Sequence, residues 1–338
     1  MLLRTFRVSI VVGLIGLALG GLYGGVRGLL LVAVLAVLEI SLSFDNAVVN
    51  ATILERMSPF WRRIFLTVGI AIAVFGMRLI FPLLIVGVTA KLNPVEAVHL
   101  ALKKGDADTA GTYGYLLHQA HPAIAAFGGI FLLMLFLDFV FTERELTWLT
   151  WLERPLQRIG KLQQIPTVVA LALLAIIAYT LAPENKTSTV LFAGVLGLVT
   201  FLVIDGLSEL FEPSGDVVHV VGRAAFFLFV YIEILDASFS FDGVVGAFAI
   251  TADPILIMIG LGIGAMFIRS ITVFLVAKGT LSEYEYLEHG ALWAIGALAV
   301  ILLITIEYDV PEVATGLVGV GFILAAFVSS LIRNRRVL

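Results

Sequence analysis

Two short segments of this chain carry the same pattern of acids and hydroxyls. Residues 38–46 read LEISLSFDN, and residues 235–243 read LDASFSFDG. Each segment holds two carboxylates with serines between them, inside a strongly apolar stretch. An ionisable side chain at membrane depth is costly and usually functional. Carboxylate, hydroxyl and amide oxygens together favour binding of a hard cation or transfer of protons.

The spacing within the first segment indicates which groups share a helix face. Glu39 and Ser43 are four residues apart and lie on one face, whereas Glu39 and Asp45 are six apart and do not. Asn46 and Gly243 follow the second aspartate of each segment, and both residue types tolerate the left-handed backbone that ends helices. We therefore expect both motif helices to be interrupted beside the aspartate, which would free carbonyls for an ion.

The acids of the two segments outnumber the arginines available to them. The acids are Glu39, Asp45, Asp236 and Asp242, and the matching arginines of the following spans are Arg78 and Arg269. Four acids against two arginines leave about two negative charges if all are ionised. A divalent cation or two protons would neutralise them, which is the simplest basis for cation/proton exchange. The alternative is a purely structural pairing of acids with arginines, in which the serines would have no role.

Composition indicates the kind of element that carries these segments. The chain has 338 residues, of which 60% are hydrophobic and 14% charged, with a mean hydropathy of +1.08. Soluble domains are about half apolar and a quarter charged. We predict an all-α, polytopic integral membrane helical bundle, whose apolar runs of about 20 residues cross the bilayer. The lack of cysteine excludes disulfides, thiolate metal sites and iron–sulfur clusters.

About ten transmembrane spans (nine or ten) are predicted. They cover residues 8–26, 29–53, 64–88, 122–142, 166–182, 188–211, 223–250, 255–277, 290–307 and 312–332. The two segments fall in the second and seventh spans, so their helices run in opposite directions. This is the signature of an inverted-topology repeat, whose substrate site usually lies near the membrane midplane. We expect a first repeat over 1–182, with a long external loop at 90–121, and a second over 183–338.

The basic residues indicate how the spans are oriented. Fourteen of them fall on one side of the predicted topology and five on the other. By the positive-inside rule we expect the more positive side, and with it both termini, to be cytoplasmic. The expected location is a cell (inner or plasma) membrane. Asp205 and Glu209 lie toward the cytoplasmic end of the sixth span, four residues apart on one face. They are candidates for a cation pathway, with an interfacial anchor as the alternative.

The motif residues resemble the TerC-like integral membrane family, within the wider LysE-type exporter superfamily. The resemblance rests on SFDNA at 43–47 and SFDG at 240–243, and FGMR at 75–78 and MFIR at 266–269 fit it as well. The long loop and the run AIAAFGG at 123–129 are similar to a less characterised branch rather than to tellurium-resistance TerC itself.

The resemblance implies export of a divalent metal ion, with Mn²⁺ favoured, Ca²⁺ as another candidate, and a historical link to tellurite resistance. It implies Asp45, Asn46 and Asp242 as metal ligands. Gly243 departs from the polar residue that many relatives carry there, so the first copy is expected to bind more strongly. Further residues are assigned supporting roles. Glu39, Asp236, Ser43 and Ser240 are predicted as additional ligands or proton carriers, and Arg78 and Arg269 as the charges that hold unoccupied carboxylates.

Two other functions remain open at this point. A LysE-like exporter of an amino acid or oxyanion would use Arg78 and Arg269 to bind an anion, although the excess of acids argues against it. An intramembrane aspartyl protease also uses two membrane aspartates, but its Gly-x-Gly-Asp and Pro-Ala-Leu elements are missing. We expect a transporter and not an enzyme. Its expected partners are the lipid bilayer, the metal ion and protons, with no prosthetic group and no nucleic acid.

Overall fold

Helices form almost all of the structure. The computed structural model describes residues 2–80, 83–84, 87, 91–103, 109–144, 146–160, 164–210, 221–251, 253–278 and 284–337. Helix accounts for 86% of the structure, and within these ranges there is no strand. The predicted all-α class is therefore confirmed.

Twelve helices follow one another in these ranges. They are α1 (Leu2–Leu42), α2 (Phe44–Arg56), α3 (Pro59–Ile80), α4 (Pro94–Leu102), α5 (Tyr113–Phe141), α6 (Thr150–Ile159), α7 (Ile165–Thr180), α8 (Thr187–Leu210), α9 (Gly222–Ile250), α10 (Pro254–Lys278), α11 (Leu287–Ile304) and α12 (Glu312–Val337).

Among the described residues, seven stretches of helix are long and apolar enough to cross a membrane. They are Thr5–Ile40, Pro59–Ile80, Tyr113–Phe141, Thr187–Gly206, Pro254–Ala277, Leu287–Ile304 and Ala314–Arg335. The protein is thus a multi-pass helical membrane protein. Every one of the ten predicted spans overlaps a helix, but α7 is a shorter apolar helix and α9 is not among the seven. The count of ten spans therefore stays a prediction.

Helix α1 reverses direction at Gly25. This glycine has φ 62° and ψ −154°, a backbone conformation that side chains strongly disfavour. A Cβ atom placed on Gly20 would lie 2.7 Å from Val32 Cγ2 and 3.3 Å from the Gly28 carbonyl oxygen. In a straight helix, residues 20 and 32 would be about 18 Å apart. The two limbs of α1 therefore fold back on each other, which explains why two spans were predicted over residues 8–53.

Helix α3 is partly π-helical. Its α-helical start at Pro59–Ile64 gives way to π-helical turns at Phe65–Gly69 and Ile72–Ile80. Such wide turns are rare and occur frequently at functional sites. Phe65 and Arg78, one in each π-helical stretch, are both buried.

Two helices lie wholly or partly in the segment 90–121, which was predicted as an external loop. Helix α4 lies within it and begins with a capping box, in which Glu96 N–H donates to Asn93 Oδ1 (2.9 Å) and Asn93 N–H donates to Glu96 Oε2 (3.0 Å). Helix α5 begins at Tyr113 and runs through Pro122, where the fourth span was predicted to start. A proline is tolerated inside a membrane helix because neighbouring groups satisfy the freed carbonyl.

The chain forms two compact units built from interleaved segments. The first comprises residues 1–47, 58–121 and 232–274, and the second comprises 48–57, 122–231 and 275–338. In the first unit, Gly260 and Gly264 of α10 let that helix approach the second limb of α1 closely. A Cβ on Gly260 would lie 2.5 Å from Leu35 Cβ, and one on Gly264 would overlap the Glu39 side chain. This small-residue contact fixes α10 against the first motif.

In the second unit, aromatic side chains fill the contact between α5, α8 and α9. The Phe131 ring lies 5.8 Å from that of Phe201 and 5.9 Å from that of Tyr231, centroid to centroid. Gly197 of α8 packs directly on the Phe127 backbone of α5. Helices α11 and α12 also pack together, with Gly290 against Ala326.

Candidate functional site

The first motif places a buried acid against an arginine. Glu39, on the second limb of α1, is 1% exposed and forms an ion pair with Arg78 of α3, which is 5% exposed. Ser43 Oγ donates a 3.0 Å hydrogen bond to Glu39 Oε1, as their shared helix face predicts. Arg78 Nη1 donates to the Ala73 carbonyl at 2.5 Å, five residues back in the π-helical turn. The wide turn thus helps to hold the guanidinium at Glu39.

The second motif repeats this arrangement with one more acid. Arg269 of α10 contacts Asp236 Oδ2 at 3.1 Å and Glu233 Oε1 at 3.4 Å, both on α9. The guanidinium also lies over the Phe65 ring, 3.8 Å from its centroid, and Nη1 donates to the Phe65 carbonyl at 3.5 Å. Arg269 is 3% exposed. One arginine therefore serves two buried carboxylates and an aromatic face.

A hydrogen bond between two described side chains joins the two motif copies. Asn46 Nδ2, on α2, donates to Asp236 Oδ1 at 2.6 Å. Asn46 is 2% exposed and Asp236 is 4% exposed. Because Arg269 contacts the other oxygen of Asp236, both carboxylate oxygens are engaged. Residues from the first and second segments thus belong to one buried polar network in the first unit.

The two ion pairs occupy equivalent positions in the repeated segments. Glu39 aligns with Asp236 in the sequence match, and Arg78 aligns with Arg269. Each aligned acid contacts its aligned arginine. The network is nevertheless asymmetric, because the position that matches Glu233 is Ala36. Both arginines contact buried acids, and their predicted role of holding unoccupied carboxylates stays a prediction.

Some predicted site residues lie outside the described side chains. These are Asp45, Asp242, Ser240 and Glu209. Their backbones belong to α2, α9 and α8, and their predicted roles stay predictions. Asp205, the other predicted pathway residue, is half-buried on α8 and lines a cavity in the second unit.

The predicted helix interruptions are correct for the first motif only in part and wrong for the second. Helices α1 and α2 meet at a bend at Ser43, before Asp45 rather than at Asn46. The backbone bonds from Ser43 N–H to the Glu39 carbonyl (3.0 Å) and from Ala47 N–H to the Ser43 carbonyl (3.2 Å) persist across it. Helix α9 continues through Asp242 and Gly243 to Ile250. A glycine permits a break but does not require one, and a continuous helix satisfies its own backbone in lipid.

Sequence reasoning missed two buried polar residues near the motifs. Glu233 lies three residues before Asp236, so the two share a helix face, and this spacing was available as a signal. Asn50 lies one turn after Asn46 on α2 and is 1% exposed. Its Oδ1 atom finds no hydrogen-bond partner among the described residues.

The described acids form an arginine-paired network and not a preformed chelate. Three carboxylates (Glu39, Glu233, Asp236) share two guanidinium groups, so three minus two leaves one negative charge if all are ionised. No group of three His, Asp or Glu side chains close enough to hold a bare metal ion occurs in the part of the chain that the structure describes. The network can keep charged groups buried. Protonation of a carboxylate, or binding of a cation, would change its net charge.

A second buried acid, Glu153, ties helix α6 to helix α11. Its Oε1 atom accepts hydrogen bonds from Trp293 Nε1 (2.9 Å) and the Leu149 amide (3.3 Å) and lies 3.2 Å from His289 Nδ1. Its Oε2 atom accepts from the Trp148 amide at 3.0 Å. Burial raises the pKa of Glu153, but the hydrogen bonds from His289 and Trp293 and the His289 charge outweigh burial and hold it below its ordinary value. Glu153 is therefore ionised and holds helix α6, which is not among the candidate spans, against helix α11.

These observations define a class: a multi-pass α-helical membrane protein with a buried network of acids and arginines that joins two similar sequence motifs. The chain belongs to the DUF475 family, described as a protein of unknown function, which matches residues 44–337. No curated protein matches the chain. No solved structure matches it either.

Proposed function

We propose that this protein is a membrane transporter that exports a divalent metal cation in exchange for protons, with Mn²⁺ as the favoured substrate. The observation that carries the proposal is the Asn46–Asp236 hydrogen bond, which unites the two motif copies inside a buried, charged network. Ionisable groups at such depth are rarely retained for packing alone. The preference for Mn²⁺ rests on the resemblance to the TerC-like family.

Charge balance supports a cation as the cargo. The helices that carry the network also carry Asp45 and Asp242, so the sequence supplies five acids against two arginines. Buried charge in excess is unfavourable unless a counter-ion or a proton compensates it. Carboxylate, amide and hydroxyl oxygens suit Mn²⁺, Ca²⁺ and Mg²⁺.

Proton exchange follows from the same carboxylates. A metal ion favours their ionised form, whereas protons neutralise them when the metal has left. Arg78 and Arg269 would hold Glu39 and Asp236 in place while the site is empty of cation, as their ion pairs suggest. Metal and protons would then occupy one set of groups in turn.

The topology proposed for this transporter has about ten spans in two inverted repeats, with both termini in the cytoplasm and the chain in the inner membrane. The equivalent acid–arginine pairs of the two motifs support the repeat. The alternative cargo, an amino acid or oxyanion, is disfavoured because both arginines already contact carboxylates.

Transport can be tested with the full chain in proteoliposomes that contain a Mn²⁺-quenched dye. An imposed pH gradient should drive Mn²⁺ flux in the wild type. Asp45→Asn and Asp236→Asn should each reduce the flux at least tenfold while leaving the protein in the membrane. Glu288→Gln is the matched control, because Glu288 pairs with Arg144 in an exposed contact at 3.5 Å.

Full transport by both aspartate variants would refute the site. A Mn²⁺ flux that does not depend on the pH gradient would refute proton exchange. It would not contradict cation transport. Counterflow with lysine or an oxyanion in place of Mn²⁺ would favour the anion or amino-acid alternative.

A further inference from the structure

Helix α6 turns its polar side chains inward and large apolar ones outward. Its inner side buries Glu153 and Gln157. The exposed residues share one helix face, because their spacing follows the helical repeat, and they are Trp151, Arg154, Pro155, Arg158 and Ile159. Trp151 is 76% exposed and Ile159 is 49% exposed. The outer face of α6 thus combines apolar surface with basic groups.

The surroundings of α6 are set by two helices that can cross the membrane, α5 and α11. These helices pack antiparallel. Near one end, the ring centroids of Phe139 and His289 lie 5.1 Å apart. Toward the other end, a Cβ atom on Gly129 would lie 2.7 Å from Leu303 Cγ. The end of α5 and the start of α11 therefore lie side by side, at one face of the membrane.

Helix α6 is fixed to both of these span ends. Near its start, Glu153 contacts His289 and Trp293, on two successive turns at the start of α11. At its C-cap, a Cβ atom on Gly160 would overlap the carbonyl oxygen of Phe141, the last residue of α5. Seven helical residues span about 10 Å, which is also the usual distance between two packed helices. Helix α6 therefore runs across the span ends, at the boundary between apolar lipid and water.

The outer face of α6 carries positive charge only. Glu153, the one acid of this helix, is 1% exposed and is held by Trp293, so it does not face outward. Arg154 and Arg158 are one turn apart, and both are exposed. A guanidinium group binds a phosphate through two parallel hydrogen bonds. Anionic lipid surfaces attract basic side chains of this kind.

We propose that the outer face of α6 binds the headgroups of anionic phospholipids. Arg154 and Arg158 contact the phosphates, and Trp151 and Ile159 lie in the apolar boundary beside them, where tryptophan is favoured. Helix α6 has 10 residues and is not among the candidate spans, so a transmembrane position does not explain its exposed tryptophan. It is an interfacial helix. This lipid site does not depend on the transport function proposed above.

The test uses the full-length protein in phosphatidylcholine vesicles, with tryptophan fluorescence as the signal. Lipids brominated near the headgroup end of the acyl chain quench a tryptophan that they contact. The chain has four tryptophans, so each measurement is repeated with Trp151→Phe, and the difference isolates Trp151. Half-maximal quenching of Trp151 should need about fivefold less brominated phosphatidylglycerol than brominated phosphatidylcholine, because the basic side chains attract anionic headgroups.

Variants of the two arginines assign this preference. Arg154→Gln combined with Arg158→Gln should make both lipids quench Trp151 equally, while quenching itself persists because the helix stays at the interface. Arg154→Lys combined with Arg158→Lys keeps both charges and should keep a preference for phosphatidylglycerol. Arg27→Gln is the matched control, because Arg27 is exposed near the reversal of α1 in the other unit, and it should behave as the wild type does.

Either of two results would overturn the proposal. If neither lipid quenched Trp151, the outer face of α6 would be in contact with water or with protein instead of lipid. If the wild type showed no preference for phosphatidylglycerol, or if the double glutamine variant retained it, Arg154 and Arg158 would not bind anionic headgroups.

Discussion

The amide of Asn46 donates a 2.6 Å hydrogen bond to Oδ1 of Asp236, a residue 190 positions further along the chain. Arg269 contacts Oδ2 of the same carboxylate at 3.1 Å. Asp236 is therefore held from two sides, by Asn46 of the first motif and by Arg269 of helix α10. A substitution of Asn46 in the first motif should therefore alter the environment of Asp236 in the second motif.

Asn46→Ala should destabilise the protein by about 1.5–3 kcal/mol, because a hydrogen bond to a charged group is lost in a buried site. Thermal unfolding in detergent would measure the effect. A double-mutant cycle with Asp236→Ala gives the coupling between the two residues, and we expect at least about 1 kcal/mol. Strict additivity would contradict the contact.

Arg269→Gln should lower the free energy of unfolding more than Arg78→Gln does. Removing Arg269 leaves two buried acids without their cation, whereas removing Arg78 leaves one. Breaking a buried pair costs about 3–5 kcal/mol. Adding Glu233→Gln to Arg269→Gln should restore part of the loss, since one unpaired charge disappears.

The control for these arginine variants is Arg333→Gln. Arg333 pairs with Glu285 at 2.5 Å, but the two side chains are 37% and 47% exposed. Such a surface pair is worth about 0–1 kcal/mol. If Arg269→Gln were no more destabilising than Arg333→Gln in thermal melts, the network would not be structurally significant.

Gly264→Ala should displace the Glu39 side chain. A Cβ at this position would overlap Glu39 and lie 3.1 Å from the Ala36 carbonyl oxygen. We expect a loss of about 1–3 kcal/mol from overpacking. Gly321→Ala is the matched control, because a Cβ there meets no atom within 4 Å. Equal melting temperatures for the two variants would argue against close packing of α10 on α1.

Acidification should weaken the contact between helices α6 and α11 that Glu153 makes. The pKa of this carboxyl is held below its ordinary value of 4.5 in the folded protein. Its ionised form therefore contributes stability that is fully present above that ordinary value. This stability is lost as the pH falls below it toward the folded pKa.

Thermal melts of the wild type between pH 3 and 7 should show this loss at the acidic end. Glu153→Gln should lower the melting temperature near pH 7 and flatten the acid dependence. If the melting temperature of this variant fell at acidic pH as much as that of the wild type, the loss of stability would come from other carboxylates.

Much of the fold and part of the candidate site were predictable from local patterns. Apolar runs marked the helices, because transfer into lipid depends on the composition of each segment. The repeated segments predicted that Arg78 and Arg269 serve the carboxylates of the motifs, but which acid each one contacts, Glu39 for Arg78 and Asp236 for Arg269, came only from the structure. Glu233 was missed because it has no counterpart in the first copy, where Ala36 stands. The break expected after Asp242 was wrong, because glycine allows a helix to end but does not force it.

The sequence by itself indicated that acids such as Glu39 and Asp236 are buried, since an acid within an apolar run is carried into the interior with its helix. Only the tertiary structure decided which groups meet. The reversal of α1 at Gly25, the approach of α10 through Gly264 and the wide turns of α3 bring the arginines to their acids. The Asn46–Asp236 bond depends on how separate helices pack, and a distance of that kind is set by three-dimensional geometry rather than by any local spacing in the chain.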